Sequence, residues 1–221
     1  QYYSKIKEDV KSIKVGALAL KISSFYMNAI MIDFIVWHVM KHSSVNKIFL
    51  DAESHRLHDK ENEIYDALVE KYNKDRVFLY KTYQMYRKDS LDKLKYDMRT
   101  YKNLGIKLVR GAYMQQDRQH GILYGSKEET DSNYDEAIKY AGESKHKVLV
   151  ATHNNVSIRK AMNYENIEFA QLLGMNDLAS KMLYDSGYVV YKYIPYGGFM
   201  ETYPYLARRL YENFQIREHL K

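Results

Sequence analysis

The stretch Ile106-Lys-Leu-Val-Arg-Gly-Ala112 decides the fold. It is rich in β-formers and lacks strict polar–apolar alternation, as a strand covered on both faces should. A helical stretch precedes it, with Leu91, Leu94, Met98 and Leu104 spaced over 91–104. Another follows at about Asp135–Glu143, just before the next β-rich run, Lys147–Thr152. Working outward, the rhythm repeats. Further runs lie at Leu18–Ser23, Lys47–Asp51, Val77–Thr82, Ile167–Leu172 and Tyr188–Ile194, and helical spacing covers Tyr26–Lys41 and Glu61–Tyr72. Strands alternating with helices predict parallel β/α units. Seven such units in 221 residues predict an α/β barrel of the TIM type, as one domain over 1–221, rather than an open doubly wound sheet. No Gly-rich fingerprint opens any strand–helix turn, so a dinucleotide-binding site of that kind has no support. A closed barrel has eight strands. The missing one either lies in Tyr2–Val15 or is absent from this chain. The long polar stretch Gln115–Asn133 is expected to be a lid or a surface insertion.

Composition narrows the function classes. With 34 Lys and Arg against 28 Asp and Glu the formal net charge is +6. The absence of Cys removes disulfide scaffolds, Cys-ligated zinc and thiol nucleophiles. No stretch reaches the ~18 uninterrupted apolar residues of a membrane-spanning helix; Met27–Met40 is broken by Asn28, Asp33 and His38. No signal-peptide pattern opens the chain, and Gln1 in place of Met points to a processed or excised piece. The 23 Tyr and the basic balance fit nucleic-acid binding poorly, because the basic residues are scattered among acids rather than gathered in blocks. Nucleic acid is therefore not expected as a partner.

Barrels place their chemistry at the C-terminal ends of the strands. Those positions hold Lys21, Asp51 with Glu53, Tyr83 with Gln84, Lys107 with Arg110, Thr152-His153-Asn154, Gln171 and Tyr193. Singly, each is an ordinary solvated rim residue; nearly every strand end having one is unusual. Past Gly197 and Gly198 the spacing predicts a last helix over Glu201–Asn213, with Pro204 in its first turn. Tyr205, Arg208, Arg209 and Glu212 fall at i, i+3, i+4 and i+7 and share one face. Glu212 can neutralise one guanidinium, which leaves the other for a carboxylate or phosphate.

These strand ends and this helix together resemble the proline dehydrogenase family. The resemblance rests on Ala19-Leu-Lys-Ile-Ser23, Leu50-Asp-Ala-Glu53, Tyr83-Gln84, Lys107-Leu-Val-Arg-Gly-Ala-Tyr113, Ala151-Thr-His-Asn154, Gln171-Leu-Leu-Gly-Met175, Tyr193-Ile-Pro-Tyr-Gly197 and Pro204-Tyr-Leu-Ala-Arg-Arg-Leu-Tyr-Glu-Asn213, in the family's order. It implies a distorted (βα)8 barrel with its final helix over the mouth, holding FAD non-covalently and oxidising L-proline to 1-pyrroline-5-carboxylate, with a membrane quinone as electron acceptor. It implies that Arg208 and Arg209, with Lys21, clamp the substrate carboxylate, that Tyr193 and Tyr205 wall the proline ring, and that Glu212 balances the arginines. Asp51 would balance the basic cluster and Lys107 would lie near flavin N5 and O4. Gln84 would contact the isoalloxazine, Arg110, Gly111 and Ala112 the ribityl and phosphate region, Thr152, His153 and Asn154 the rest of FAD, and Gln171 its ribose end. The resemblance places a eukaryotic protein at the matrix face of the inner mitochondrial membrane, and a bacterial one in the cytoplasm or peripherally at its membrane. The family's first barrel strand has no recognisable counterpart before Lys21. That leaves a fragment or a shortened homologue, and a truncated, non-catalytic barrel acting through interactions is the alternative. No residue stands out as acceptor of the amine proton.

Overall fold

The runs that read as covered strands form parallel ladders in a computed structural model, which describes residues 8, 10, 11, 13 and 16–195. The chain divides into two units, Gln1–Phe169 and Ala170–Lys221. The strands are β1 (Leu18–Leu20), β2 (Ile48–Leu50), β3 (Leu79–Gln84), β4 (Gly105–Val109), β5 (Lys147–Ala151), β6 (Ile167–Leu172) and β7 (Val190–Tyr193). Between them lie α1 (Ala29–His42), α2 (His58–Tyr72), α3 (Ser90–Thr100), α4 (Met114–Asp117), α5 (Lys127–Gly142), α6 (Asn155–Ala161) and α7 (Asp177–Asp185). Short 3-10 turns occupy Ile22–Phe25, His55–Leu57 and Arg118–His120. The ladders β1–β2, β2–β3, β3–β4 and β4–β5 are parallel, with Leu20 opposite Leu50 and Thr82 opposite Lys107. Strand order equals sequence order throughout the sheet.

Ile48, Leu50, Ile106, Leu108 and Val148 to Val150 are fully buried, as strands with both faces covered require. Within the first unit the sheet curls. Lys47, just before β2, reaches Glu168 of β6 with 2.5 Å between Nζ and carboxylate. A flat sheet would hold strands four places apart at roughly 19 Å, so only curvature brings the two together. On β3, Lys81 and Tyr83 point outward to Asp97 of α3, which leaves Thr82 and Gln84 on the opposite, inner face.

Tyrosine builds this core. Tyr65, Tyr83, Tyr86 and Tyr134 are buried, and their hydroxyls donate to Asp51 O (2.8 Å), Asp97 (2.8 Å), Asp117 (2.6 Å) and Leu108 O (3.1 Å). In α1, Ile32, Ile35, Val36 and Val39 are buried, whereas Ile30 and Trp37 are exposed. No helix among the described residues is long and apolar enough to cross a membrane.

Several boundaries move. The expected first run ends as a strand at Leu20, because Ile22–Phe25 turns into a 3-10 helix. The helix expected from Asp135 starts at Lys127, where Ser126 accepts from Glu129 N and the Glu129 side chain accepts from Ser126 N, a complete capping box. Much of the Gln115–Asn133 stretch is therefore helical, and it contains the buried Asp117, Thr130 and Asn133. The expected last helix, with Tyr205, Arg208, Arg209 and Glu212, lies outside the described residues, and so does most of the Tyr2–Val15 opening, whose described positions 8, 10 and 11 are helical.

Candidate active site

Asp51 follows β2 directly, and its amide donates to Leu20 O of β1 (2.8 Å). Its carboxylate holds the ammonium of Lys107, which β4 delivers from two strands away. The two side chains are only 11% and 8% exposed, and Lys107 Nζ lies 5.6 Å from the centre of the Phe49 ring. A pair this buried is screened little by water, so each charge depends on the other.

Lys21 leaves the end of β1, and its Nζ is 3.5 Å from Tyr113 Oη, the outer limit of a hydrogen bond. Burial pulls the Lys21 pKa down, but Tyr113, Asp51 and Glu53 outweigh it and leave it raised, so the ammonium persists at neutral pH. Glu53, two residues past Asp51, accepts from Ser23 N (2.9 Å) and Ser23 Oγ (2.6 Å). Its own amide donates to Glu61 Oε1 of α2 (2.8 Å). Burial, and then the charge of Glu53, push the Glu61 carboxyl up to about 8. At neutral pH Glu61 is mostly protonated. Lys21, Asp51 and Glu53, just past the ends of β1 and β2, thus converge with Lys107, which is expected at the end of its strand and instead sits in the middle of β4.

A second group forms where β4 and β5 end. Arg110 donates through Nε to Asp131 (2.6 Å), through Nη1 to Thr152 Oγ1 (2.7 Å) and through Nη2 to Ser157 Oγ (2.9 Å), and its guanidinium lies 4.3 Å from the Tyr134 ring centre. All three nitrogens are engaged by protein groups, so Arg110 is a strut tying β4 to α5 and to the start of α6. Asn154 caps α6, accepting from Val156 N (2.9 Å) and Ser157 N (3.2 Å). His153 is half-buried, Gly111 half-buried and Ala112 exposed beside this group. Gly111 has φ +134°, and a Cβ there would fall 1.5 Å from the Tyr86 ring, so glycine is required.

The residues present fit a flavin. Lys107 offers a buried cation beside Gln84 and Thr82 on the inner face of β3. Thr82 Oγ1 is buried without a hydrogen-bond partner among the described residues, a group awaiting a polar ligand. In the second unit, Gln171 accepts from Ser180 Oγ, and Tyr193 is half-buried with its carbonyl accepting from Leu173 N (3.1 Å).

Sequence reasoning assigned no role to Tyr113, Ser23, Glu61 or Asp117. Asp117 accepts from Tyr86 Oη and from His55 N (2.8 Å), and its amide donates to Tyr113 O (2.9 Å), so it fixes the segment that presents Tyr113. Tyr113 stood in plain view as the last residue of the Lys107–Tyr113 string. Glu61 and Asp117 sit in polar helical stretches, and only the fold brings them inward.

Parallel strands joined by helices, with polar side chains gathered toward the carboxyl ends of the strands, are the pattern of β/α barrels, and this sheet is of that class. The chain belongs to the proline dehydrogenase family, whose family model matches residues 4–221. It is 34% identical over 198 residues to proline dehydrogenase 1, mitochondrial, of Caenorhabditis elegans, a match covering 77% of this chain and 32% of that protein. It is 31% identical over 212 residues to a hydroxyproline dehydrogenase of Xenopus laevis, covering 83% of this chain and 46% of that one. The chain thus spans about a third to a half of these relatives. A crystal structure of proline utilization A from Bradyrhizobium japonicum superposes with a TM-score of 0.82 over 96% of this chain and 26% of that one, at 20% identity. That likeness shows the fold, a distorted (βα)8 barrel of which seven strands are described here.

Proposed function

We propose that the chain carries the flavin-dependent oxidation of L-proline to 1-pyrroline-5-carboxylate, with FAD as cofactor and a membrane quinone as the final electron acceptor. The observation that supports this reading most is the convergence of Lys21 and Asp51, from the ends of β1 and β2, with Lys107 of β4. Lys21, a persistent cation, suits one end of a zwitterionic substrate, its carboxylate. Arg208 and Arg209 serve the same carboxylate in this reading; they lie outside the described residues. FAD, when bound, supplies the hydride acceptor for the ring carbon beside nitrogen. Lys107 and Gln84 are the groups that would hold its isoalloxazine, Arg110, Gly111 and Ala112 the ribityl and phosphate region, Thr152, His153 and Asn154 the remainder, with Gln171 at the ribose. Lys107 keeps a positive charge where negative charge would develop, and Asp51 keeps that lysine in place and limits the excess positive charge. Tyr193, Tyr205 and Glu212 complete the substrate side. The work of the protein is orientation and fixed charge. For a eukaryotic source the reading puts the protein at the matrix face of the inner mitochondrial membrane, in line with relatives named as mitochondrial.

The test is optical. Purified protein incubated with FAD should show the oxidised-flavin absorbance and lose it anaerobically on addition of L-proline, with the rate compared against 4-hydroxy-L-proline. Protein that takes up no flavin, or whose bound flavin keeps its colour with both substrates, overturns the reading in favour of a non-catalytic barrel.

A further inference from the structure

β1 is three residues long and its ladder with β2 ends at Leu20, so Lys21 lies just past it. Lys21 opens the Ile22–Phe25 turn with extended backbone (φ −107°, ψ 127°), and its side chain caps nothing. The turn's early N–H groups need another acceptor, and Glu53 supplies it from beyond β2, taking Ser23 N–H on one oxygen and Ser23 Oγ–H on the other. Glu53 is 7% exposed, yet among the described residues no Lys or Arg lies within ion-pair distance of it. A buried carboxylate is costly without compensation. Here that compensation is the Ser23 clasp, the anchoring of its own amide by Glu61, and attraction to Lys21, which Glu53 helps keep protonated. A neutral glutamine could not accept on both oxygens.

Resting on the reading of this site as a proline-oxidising centre, we infer that Glu53 is a positioning residue, fixing Lys21 for the substrate carboxylate through its bidentate grip on Ser23, with Glu61 holding Glu53 in turn. Glu53 touches neither substrate nor flavin in this scheme. Its removal therefore moves binding more than turnover.

The experiment compares wild type, Glu53→Gln and Ser23→Ala in two readouts. The first is the rate at which acetic anhydride acylates Lys21 relative to the other lysines, resolved by peptide mass spectrometry; it requires no catalysis. The second is KM and kcat for L-proline in the flavin-loaded protein. Glu53→Gln should speed Lys21 acylation several-fold and raise KM about ten-fold, the equivalent of one charge-assisted hydrogen bond, with kcat within about two-fold and flavin content unchanged. Ser23→Ala, a change at an exposed residue, should shift both in the same direction by less. Unchanged Lys21 acylation and unchanged KM in folded Glu53→Gln overturn the inference. If Glu53→Gln does not fold, the same null result in Ser23→Ala overturns it. Wild type that fails to oxidise proline sinks the functional reading alone, because Lys21 acylation still decides the role of Glu53.

Discussion

At the scale of single residues, Glu61 makes the sharpest claim. It is 2% exposed, and the groups acting on it are Glu53 and Asp51 from the end of β2, Arg87 from beyond β3 and Tyr65 one turn along α2. Burial is the largest influence and Glu53 the next, and together they lift its pKa to about 8, with the Glu53 amide and Arg87 opposing. The folded state therefore keeps a proton that the unfolded chain releases near pH 4.5. That makes the native state lose stability as pH rises from about 4.5 to about 8, with no further loss above. Glu61→Gln keeps an acceptor for the Glu53 amide and cannot ionise. Its melting temperature should match wild type near pH 4.5 and exceed it by a margin that widens up to pH 8. The ceiling is roughly 5 kcal/mol at 1.36 kcal/mol per pKa unit, reduced by whatever water reaches the site. Thermal melts of both proteins at pH 5, 7 and 9 check this, and a pH-independent margin contradicts it. Arg110 teaches a different lesson at this scale. A residue at a strand end that reads as a free anion partner gives three of its five N–H groups to Asp131, Thr152 and Ser157, and its planar fork, not its charge alone, is what those three partners use.

Among the elements, β3 is bound to its two flanking helices by charge as well as by apolar packing. Lys81 of β3 donates to Asp66 of α2 (2.5 Å) and Asp97 of α3 (2.9 Å), and Lys93 of α3 donates to both acids. Burial outweighs both acids and lowers the Lys81 pKa, whereas the half-exposed Lys93 is raised, its desolvation overcome by the same pair. Asp97 is fully buried and also takes the Tyr83 hydroxyl. Asp97→Ala takes one of its two carboxylates from the buried Lys81 ammonium and the acceptor from the buried Tyr83 phenol, and should cost about 3 kcal/mol in urea unfolding. Lys93→Ala, at a side chain 28% exposed, should cost under about 1 kcal/mol. Equal losses would mean that α2 and α3 are held by apolar packing alone. The same elements show how far the sequence could be read. β2, β4 and β5 are near-continuous apolar runs because both faces are covered, so their positions were legible. The first turns of α5 were not. Ser-Lys-Glu-Glu-Thr-Asp-Ser, 126–132, reads as a loop by composition, although Ser126 and Glu129 carry the spacing of a capping box. The end of β1 misled in the opposite sense, since Ile22 is apolar and fully buried yet sits in a turn. The site followed this division. Lys21, Asp51 and Lys107 were legible because polar residues within or at the ends of apolar runs stand out. Glu61 and Asp117, which orient them, sit among other polar residues, and only tertiary packing distinguishes them from solvated neighbours.

For the molecule as a whole, the question is what curls the sheet of the first unit. Two candidates sit on its inner face, the Lys47–Glu168 ion pair and the packing of Phe49 against Tyr80, whose rings meet edge to face at 5.4 Å. Lys47 lies 5.6 Å from the Tyr80 ring centre, so the two features adjoin. The ion-pair side chains are 17% and 18% exposed, far enough from water that removing one partner strands the other, yet their mutual attraction is offset by desolvation on both sides. Aromatic packing carries no such offset, and strand coiling in a parallel sheet already favours curvature. The apolar contacts should therefore set the curl, with the ion pair choosing which residues meet. Lys47→Met or Glu168→Met alone should lower stability by about 1–3 kcal/mol, and the double replacement should regain most of that loss. The urea m-value, which follows the surface exposed on unfolding, should stay unchanged in the double variant. A double variant that remains as unstable as the worse single one, or that unfolds with a clearly smaller m-value, would assign closure of the sheet to the ion pair instead.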